Sequence, residues 1–322
     1  MILLTGAAGF LGFHVAQALL DAGHSIVGLD NLNGYYSKKL KTDRLAQLSA
    51  SSKFRFVEAD LAEAGAFDAV GDASEFELVV HFAAQAGVRA SLEHPFDYAR
   101  SNLTGHLAVL EFCRHAQNRP PLIYASSSSV YGCARPGPVA ETDAVDAPES
   151  LYAATKRADE LMSDAYAKLY GLKQIGLRHF TVYGAWGRPD MAYWIFTEKI
   201  LGGHAIELFN KGALKRDFTH VEDVVRGVLA MVAGSWDIDG ACAHRIYNLG
   251  ANKPTELTRF VDVLEQAAGR RAQRILAPMQ PGDVFETFAD IRAAKTDYGY
   301  NPQVRLEDGL AQFVDWFRRY HN

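Results

Sequence analysis

The chain has 322 residues, 48% hydrophobic and 22% charged, with a formal net charge of −5, enough for one large or two modest domains with a real core. Acids and bases are interspersed, so nothing marks a nucleic-acid surface or a disordered arm. Cys113, Cys133 and Cys242 form no Cys-x-x-Cys pair, and no apolar run reaches membrane-spanning length, which excludes a disulfide framework, a zinc site and a membrane span and leaves a cytoplasmic protein as the expectation.

Ile2 to Leu4 reads as a short buried strand. Thr5-Gly6-Ala7-Ala8-Gly9-Phe10-Leu11-Gly12 follows, then an amphipathic helix from Phe13 to Ala22. Gly23-His24 breaks that helix, and Ser25 to Asp30 is a second strand ending in an acid. Strand, glycine turn, helix and strand in this order make a dinucleotide-binding unit. The glycines let the backbone turn tightly and approach a pyrophosphate at the helix N-terminus, where N–H groups lack partners. Gly6, Ala8, Gly9, Phe10, Leu11 and Gly12 are the expected contacts. Asp30 can accept from both hydroxyls of an adenosine ribose and would repel a 2′-phosphate, which favours NAD over NADP.

The alternation continues. Asn31 to Tyr36 is a polar loop whose Asn31 and Asn33 are grouped with the cofactor site, and Lys38 to Ser49 reads as helix. Phe54 to Val57 is a strand, followed by Asp60 and Leu61, placed to meet an adenine edge. A strand from Glu77 to Phe82 runs into Ala83, Ala84 and Gln85, small enough at the start to approach a bound cofactor closely. Pro95 to Gln117 is expected as one long helix. Leu122 to Ala125 is a strand that delivers Ser126 to Ser129 to the sheet's carboxyl edge, where ligands bind in open α/β folds. A helix from Leu151 to Tyr170 carries Tyr152 and Lys156, and Lys173 to Leu177 is a further strand. After Arg178 the pattern dissolves into shorter pieces, with a closing helix from Leu306 to Tyr320. The expected fold is α/β: a Rossmann-type doubly wound parallel sheet with a smaller C-terminal α/β lobe. Residues 1–178 make the NAD-binding domain, with some later segments returning to it, and residues 179–322 mainly the substrate lobe, with a cleft between.

Tyr152 and Lys156 stand four residues apart, on one helix face. A phenol is a poor base at neutral pH, but an adjacent ammonium favours the phenolate. Such a tyrosine can take a proton from an alcohol while a hydride leaves the same carbon, with the serines holding the alcohol oxygen. The same spacing also occurs in ordinary helix-surface pairs; the glycine turn and Asp30 favour the catalytic reading.

Gly6-x-x-Gly9-x-x-Gly12 with Tyr152-x-x-x-Lys156 resembles the extended short-chain dehydrogenase/reductases. Several further motifs narrow the match: Asp30-Asn-Leu-Asn33, Ala83-Ala-Gln-Ala-Gly-Val-Arg89, Ser126-Ser-Ser-Ser-Val-Tyr-Gly132, Phe180-Thr-Val-Tyr-Gly184 and Arg188-Pro-Asp-Met191. With Arg216-Asp-Phe-Thr219 and Gln280-Pro-Gly-Asp-Val284, they make the whole chain similar to UDP-glucuronate 4-epimerases. That resemblance implies reversible 4-epimerisation of UDP-glucuronate to UDP-galacturonate through a 4-keto sugar. Hydride is taken and returned by tightly held NAD, and Tyr152 is the acid/base. It implies Ser127 as the catalytic hydroxyl, with Ser128 beside it, and Phe82 and Asn102 among the cofactor contacts. It also implies Arg216 at the diphosphate, Thr181 and Arg188 at the sugar carboxylate, and Arg89, Gln280 and Asp283 near the substrate. A homodimer is a further implication. His179, Ala185 and Ala90 depart from the family pattern. Ser128 and Ser129 stand where dehydratases and decarboxylases carry acids, which disfavours those activities. A UDP-galactose-type epimerase is the alternative enzyme, and an NAD-sensing module the alternative outside catalysis.

Overall fold

The computed structural model describes residues 1–133, 137–236, 243–280 and 284–321. The strands are β1 (Ile2–Thr5), β2 (Ile26–Asp30), β3 (Phe54–Glu58), β4 (Leu78–His81), β5 (Leu122–Ser127) and β6 (Gln174–His179). They continue with β7 (Thr181–Tyr183), β8 (Ile206–Leu208), β9 (Lys215–His220), β10 (His244–Leu249), β11 (Pro254–Glu256) and β12 (Arg274–Leu276). The helices are α1 (Phe10–Asp21), α2 (Lys38–Leu48), α3 (Val88–Glu93), α4 (Pro95–Tyr98), α5 (Gly105–His115) and α6 (Leu151–Tyr170). After them come α7 (Ala192–Gly202), α8 (Val221–Ala233), α9 (Leu257–Ala268), α10 (Arg292–Tyr298) and α11 (Leu306–His321).

A seven-stranded sheet runs β10-β6-β5-β4-β1-β2-β3, and the six strands from β3 through β6 pair in parallel. This is the doubly wound order, with the chain reversing direction beside β1, the switch point where ligands bind. Its strands read as near-continuous apolar runs because helices cover both faces. Leu3, Val27, Val79 and Leu122 are at most 1% exposed and pack with Val109, Leu110 and Cys113 of α5. Each such side chain contributes roughly 1.5–3 kcal/mol when fully buried.

The chain divides into two compact units. The first contains residues 1–132, 141–179 and 228–247; the second contains 133–140, 180–227 and 248–322. In the second unit β9 lies between antiparallel β11 and parallel β7, and β8 pairs with β12. Its core is aromatic: Phe218 stacks on Phe260 at 4.2 Å, and Tyr193 meets Phe313 edge-on at 4.9 Å. Among the described residues no helix is long and apolar enough to cross a membrane.

One element differs from its sequence expectation. The helix foreseen over Pro95 to Gln117 is broken into α4, a π-helical turn from Ala99 to Thr104, and α5. A π turn widens the helix by a residue and is commonly found at functional sites. Here it carries Asn102, 1% exposed, whose amide reaches three partners. Its Oδ1 accepts from Gln85 N at 2.8 Å, and its Nδ2 donates to Gln85 O at 3.1 Å and to Thr155 Oγ1 at 2.9 Å. The π turn therefore ties the loop after β4 to the helix that carries Tyr152.

Candidate active site

The glycine turn is built by close approach. Gly6 has φ +76°, where a side chain is strained, and a Cβ there would stand 2.6 Å from Ala83 N. A Cβ on Gly12 would stand 2.0 Å from Gly6 O, so the first turn of α1 can sit on β1 only without one. Gly9 caps α1 without a side-chain bond, which leaves the helix N-terminus to an external acceptor. This cradle, filled by any added Cβ, fits a pyrophosphate.

Asp30 ends β2 and is 8% exposed. Its Oδ2 accepts from Ala8 N at 3.1 Å and its Oδ1 from Leu32 N at 2.9 Å, so the carboxylate is fixed against the glycine turn. Burial raises its pKa, opposed by Lys41, these two N–H groups and Arg44. Lys41 Nζ in turn donates to Asn33 O and Oδ1 at 2.9 and 2.8 Å, and Asn33 Nδ2 donates to Gln85 Oε1 at 3.3 Å. Asn31 Nδ2 donates to Asp60 Oδ2 at 3.1 Å, and Asp60 Oδ1 accepts from Ala62 N at 2.9 Å. Hydrogen bonds thus tie Ala8 to Asp30, Asn31 to Asp60 and Asn33, Asn33 to Gln85, and Gln85 to Asn102 of the π turn, with Gly6 in close backbone approach to Ala83. Leu61 is buried beside Asp60. Phe82 meets the imidazole of His179 edge-on at 5.8 Å. These residues fit NAD.

Ser127 ends β5 in register with His179 of β6. Its Oγ accepts from Ser129 N at 3.1 Å, which caps the 3-10 turn Ser128–Tyr131. Ser126 turns the other way and donates to Glu160 Oε1 at 2.6 Å. Tyr152 lies in the first turn of α6, whose N-cap Ser150 accepts from Ala153 N, and its ring meets Tyr98 edge-on at 6.1 Å. Lys156, one turn on, is 3% exposed and donates to Ala125 O at 3.0 Å, just before the serines. The same lysine pairs with Asp159 at 3.1 Å. Glu160 is held by Arg178 through Nε at 2.8 Å and Nη2 at 2.9 Å, while Arg178 Nη1 donates to Tyr131 OH at 2.9 Å. Glu160 and Arg178 thereby fix both flanks of the serine turn.

In the second unit, Thr181 opens β7 opposite Phe218. Arg188 donates its backbone N–H to Tyr193 OH at 2.8 Å and forks its guanidinium onto Asp190, with Nε 3.0 Å from Oδ1. Arg216 Nη1 donates to Lys215 O and Phe285 O. Its sequence neighbour Asp217, the obvious surface ion-pair partner, is instead fully buried, accepting from Ala251 N at 2.6 Å and Ala289 N at 3.0 Å. Gln280 is partly exposed, and Asp283 lies outside the described residues. In the first unit, Arg89 sits on α3.

Motif reading does not reach Asp159, Glu160, Arg178, Lys41 or Thr5, whose Oγ1 bonds His81 Nδ1 at 2.7 Å. Asp159 and Glu160 carry one sequence signal: they follow Lys156 at the i+3 and i+4 positions of the same helix. Arg178 carries none, because its partner is distant in the chain.

The profile of the NAD dependent epimerase/dehydratase family matches residues 2–250. UDP-glucuronate 4-epimerase 1 of Arabidopsis thaliana is 44% identical over 331 residues, covering 99% of this chain and 77% of the relative. Protein CapI of Staphylococcus aureus is 42% identical over 99% of both chains. A crystal structure of UDP-glucuronic acid 4-epimerase from Bacillus cereus, in complex with UDP-glucuronic acid and NAD, superposes with a TM-score of 0.90 at 33% identity, covering 99% of each chain.

Proposed function

Because the chain belongs to the NAD dependent epimerase/dehydratase family, we propose that it interconverts UDP-glucuronate and UDP-galacturonate by inverting carbon 4 of the sugar. The observation that carries this reading is the first unit's own geometry: Tyr152 and Lys156 on one face of α6, with Lys156 bonded to the main chain at the serine turn. The glycine cradle, Asp30 and the Asn31–Asn33 loop would hold NAD, which when bound supplies oxidation at carbon 4 and its reversal. Tyr152 takes the 4-hydroxyl proton during oxidation and returns it after the flat 4-keto sugar has turned over. The Lys156 ammonium favours the phenolate, and Ser127 holds the oxygen.

The second unit's residues answer the charges of a UDP-uronate. Arg216 suits the diphosphate, since a guanidinium binds phosphate oxygens in pairs. Thr181 and Arg188 take the sugar carboxylate, with Asp190 orienting the guanidinium. A 4-keto uronate is a β-keto acid, and a fixed carboxylate cannot rotate into the geometry for loss of carbon dioxide. Arg89, Ser128, Gln280 and Asp283 complete the proposed substrate set. A cytoplasmic setting accords with the buried free thiol of Cys113.

The test is to incubate the protein, supplied with NAD, separately with UDP-glucuronate and UDP-glucose and to resolve the products by proton NMR. UDP-galacturonate from the first is expected. A pentose product would remove the carboxylate clamp, and epimerisation of UDP-glucose alone would move the chain to the neutral-sugar epimerases. Arg188→Ala is expected to slow UDP-glucuronate turnover by about 10- to 100-fold, the loss of one charged hydrogen-bonded contact, and to spare any UDP-glucose turnover. An equal loss on both sugars would count against the clamp.

We also propose a homodimer through the outer faces of α5 and α6, where Leu107 and Leu161 stand 39% and 54% exposed. Light scattering is expected to give twice the chain mass, and Leu161→Glu to lower it to one; a wild-type monomer would refute the pairing.

A further inference from the structure

Lys156 carries a partner that the reaction as described does not use. Asp159, one turn further along α6, is 1% exposed and places Oδ2 3.1 Å from Lys156 Nζ. Its other oxygen, Oδ1, is buried and accepts no hydrogen bond among the described residues. Half of this carboxylate's acceptor capacity is therefore unused, an arrangement that costs stability. The ammonium already has an anchor in Ala125 O. What Asp159 adds is negative charge at the Lys156 ammonium.

We propose that Asp159 is a positioning residue for the Tyr152–Lys156 pair: it holds the ammonium, offsets part of its charge, and so sets the pH at which Tyr152 becomes a phenolate. The inference rests on reading Tyr152 as the acid/base. An ammonium alone acts on the phenol as a point charge. With a carboxylate in contact it acts as a dipole, whose field falls off faster, so Tyr152 receives less help.

The other titratable groups around the pair lie on α4, α5, α6, β4, β5 and β6, and the nearest to the phenol is Tyr98 of α4, whose ring meets that of Tyr152 edge-on. Glu160 on α6 is committed to Arg178. Tyr124 on β5 is held protonated, chiefly by burial. His81 on β4 and His179 on β6 are each pushed down to about 3, by burial first and then by Lys156. His106 on α5 is lowered well below the ordinary imidazole value, by burial first and then by its neighbours His81, Lys156 and His244. These histidines are neutral throughout the neutral range. Asp159 is pushed up to about 6, mainly by burial and against the pull of Lys156, so of these groups it is the one that changes charge near neutrality. As it ionises it opposes ionisation of Tyr152, and coupling of this kind spreads a titration over a wider range than one proton requires.

The experiment follows tyrosinate absorbance against pH in the NAD-loaded enzyme, with Tyr152→Phe as the blank. In the wild type a curve flatter than a one-proton titration is expected. Asp159→Asn, nearly isosteric, is expected to sharpen it and move its midpoint down by about one pH unit. The acid limb of kcat should move by the same amount while KM holds. A folded Asp159→Asn with the wild-type midpoint would overturn the proposal and leave Asp159 a packing residue. Should that variant not fold, the wild-type curve decides alone: a clean one-proton shape overturns the proposal. Absence of any tyrosinate signal above the blank below the ordinary phenol range would overturn the acid/base reading of Tyr152 itself, and the proposal with it.

Discussion

Tyr152→Phe is expected to lower turnover of UDP-glucuronate by about 10²- to 10⁴-fold, the usual contribution of a positioned general acid/base. The substitution removes one oxygen. It leaves the ring that packs edge-on against Tyr98 and the backbone carbonyl that accepts from Thr155 Oγ1 at 2.8 Å. Neither the glycine turn nor Asp30 touches the phenol oxygen through any bond described above, so NAD should still bind. Two measurements separate the outcomes. Turnover by NMR reads the chemistry, and calorimetry reads the cofactor. Loss of turnover with unchanged NAD affinity supports the role. Near-normal turnover would assign the proton to another group, and a matching loss of NAD affinity would make Tyr152 a binding residue instead.

The second large effect concerns stability. Arg178→Met is expected to cost about 3–5 kcal/mol, the range for removing one partner of a buried ion pair. Arg178 is 2% exposed and Glu160 1%. The guanidinium binds both Glu160 oxygens, the Tyr131 hydroxyl and Glu141 O, and lies 4.7 Å from the centre of the Tyr131 ring. Removing it leaves Glu160, among the described residues, with Ser126 and Arg157. Urea denaturation measures the loss, and Glu160→Gln combined with Arg178→Met should lose much less than the two single changes added together, because no buried charge is then stranded. A cost below 1 kcal/mol for Arg178→Met would show that the pair is dispensable.

The same pair gives a pH dependence whose sign follows from Glu160. Burial raises its pKa, but the hydrogen bonds and charge of Arg178, with help from Ser126, outweigh that and leave it below the ordinary glutamate value of 4.5. A carboxyl depressed on folding stabilises the protein fully above its unfolded value and loses that contribution as pH falls through the folded one. Stability measured by urea should therefore fall on acidification below the ordinary glutamate range, and Glu160→Gln should flatten that fall.

The sequence by itself determined the elements whose cause is local. Gly6, Gly9 and Gly12 specify a turn because only glycine tolerates the backbone approach that the structure shows at Gly6 and Gly12. Alternating apolar strands and amphipathic helices specified the parallel sheet, and the acid ending the second strand marked Asp30 as the proposed ribose acceptor. Tyr152 and Lys156 were legible because helix geometry fixes an i, i+4 pair without knowledge of anything beyond the helix. Tertiary structure decided what depends on partners far away in the chain. The π turn at Ala99–Thr104 exists where Asn102 reaches Gln85 and Thr155, 17 and 53 residues away. Asp217 turned inward because backbone N–H groups 34 and 72 residues on needed an acceptor. Burial raised Asp159 and lowered His81, His106 and His179, and burial is a property of the packed molecule. The residue types written along the chain fix which chemistry is available; the desolvation and long-range hydrogen bonds of the fold fix the charge each group carries when it acts.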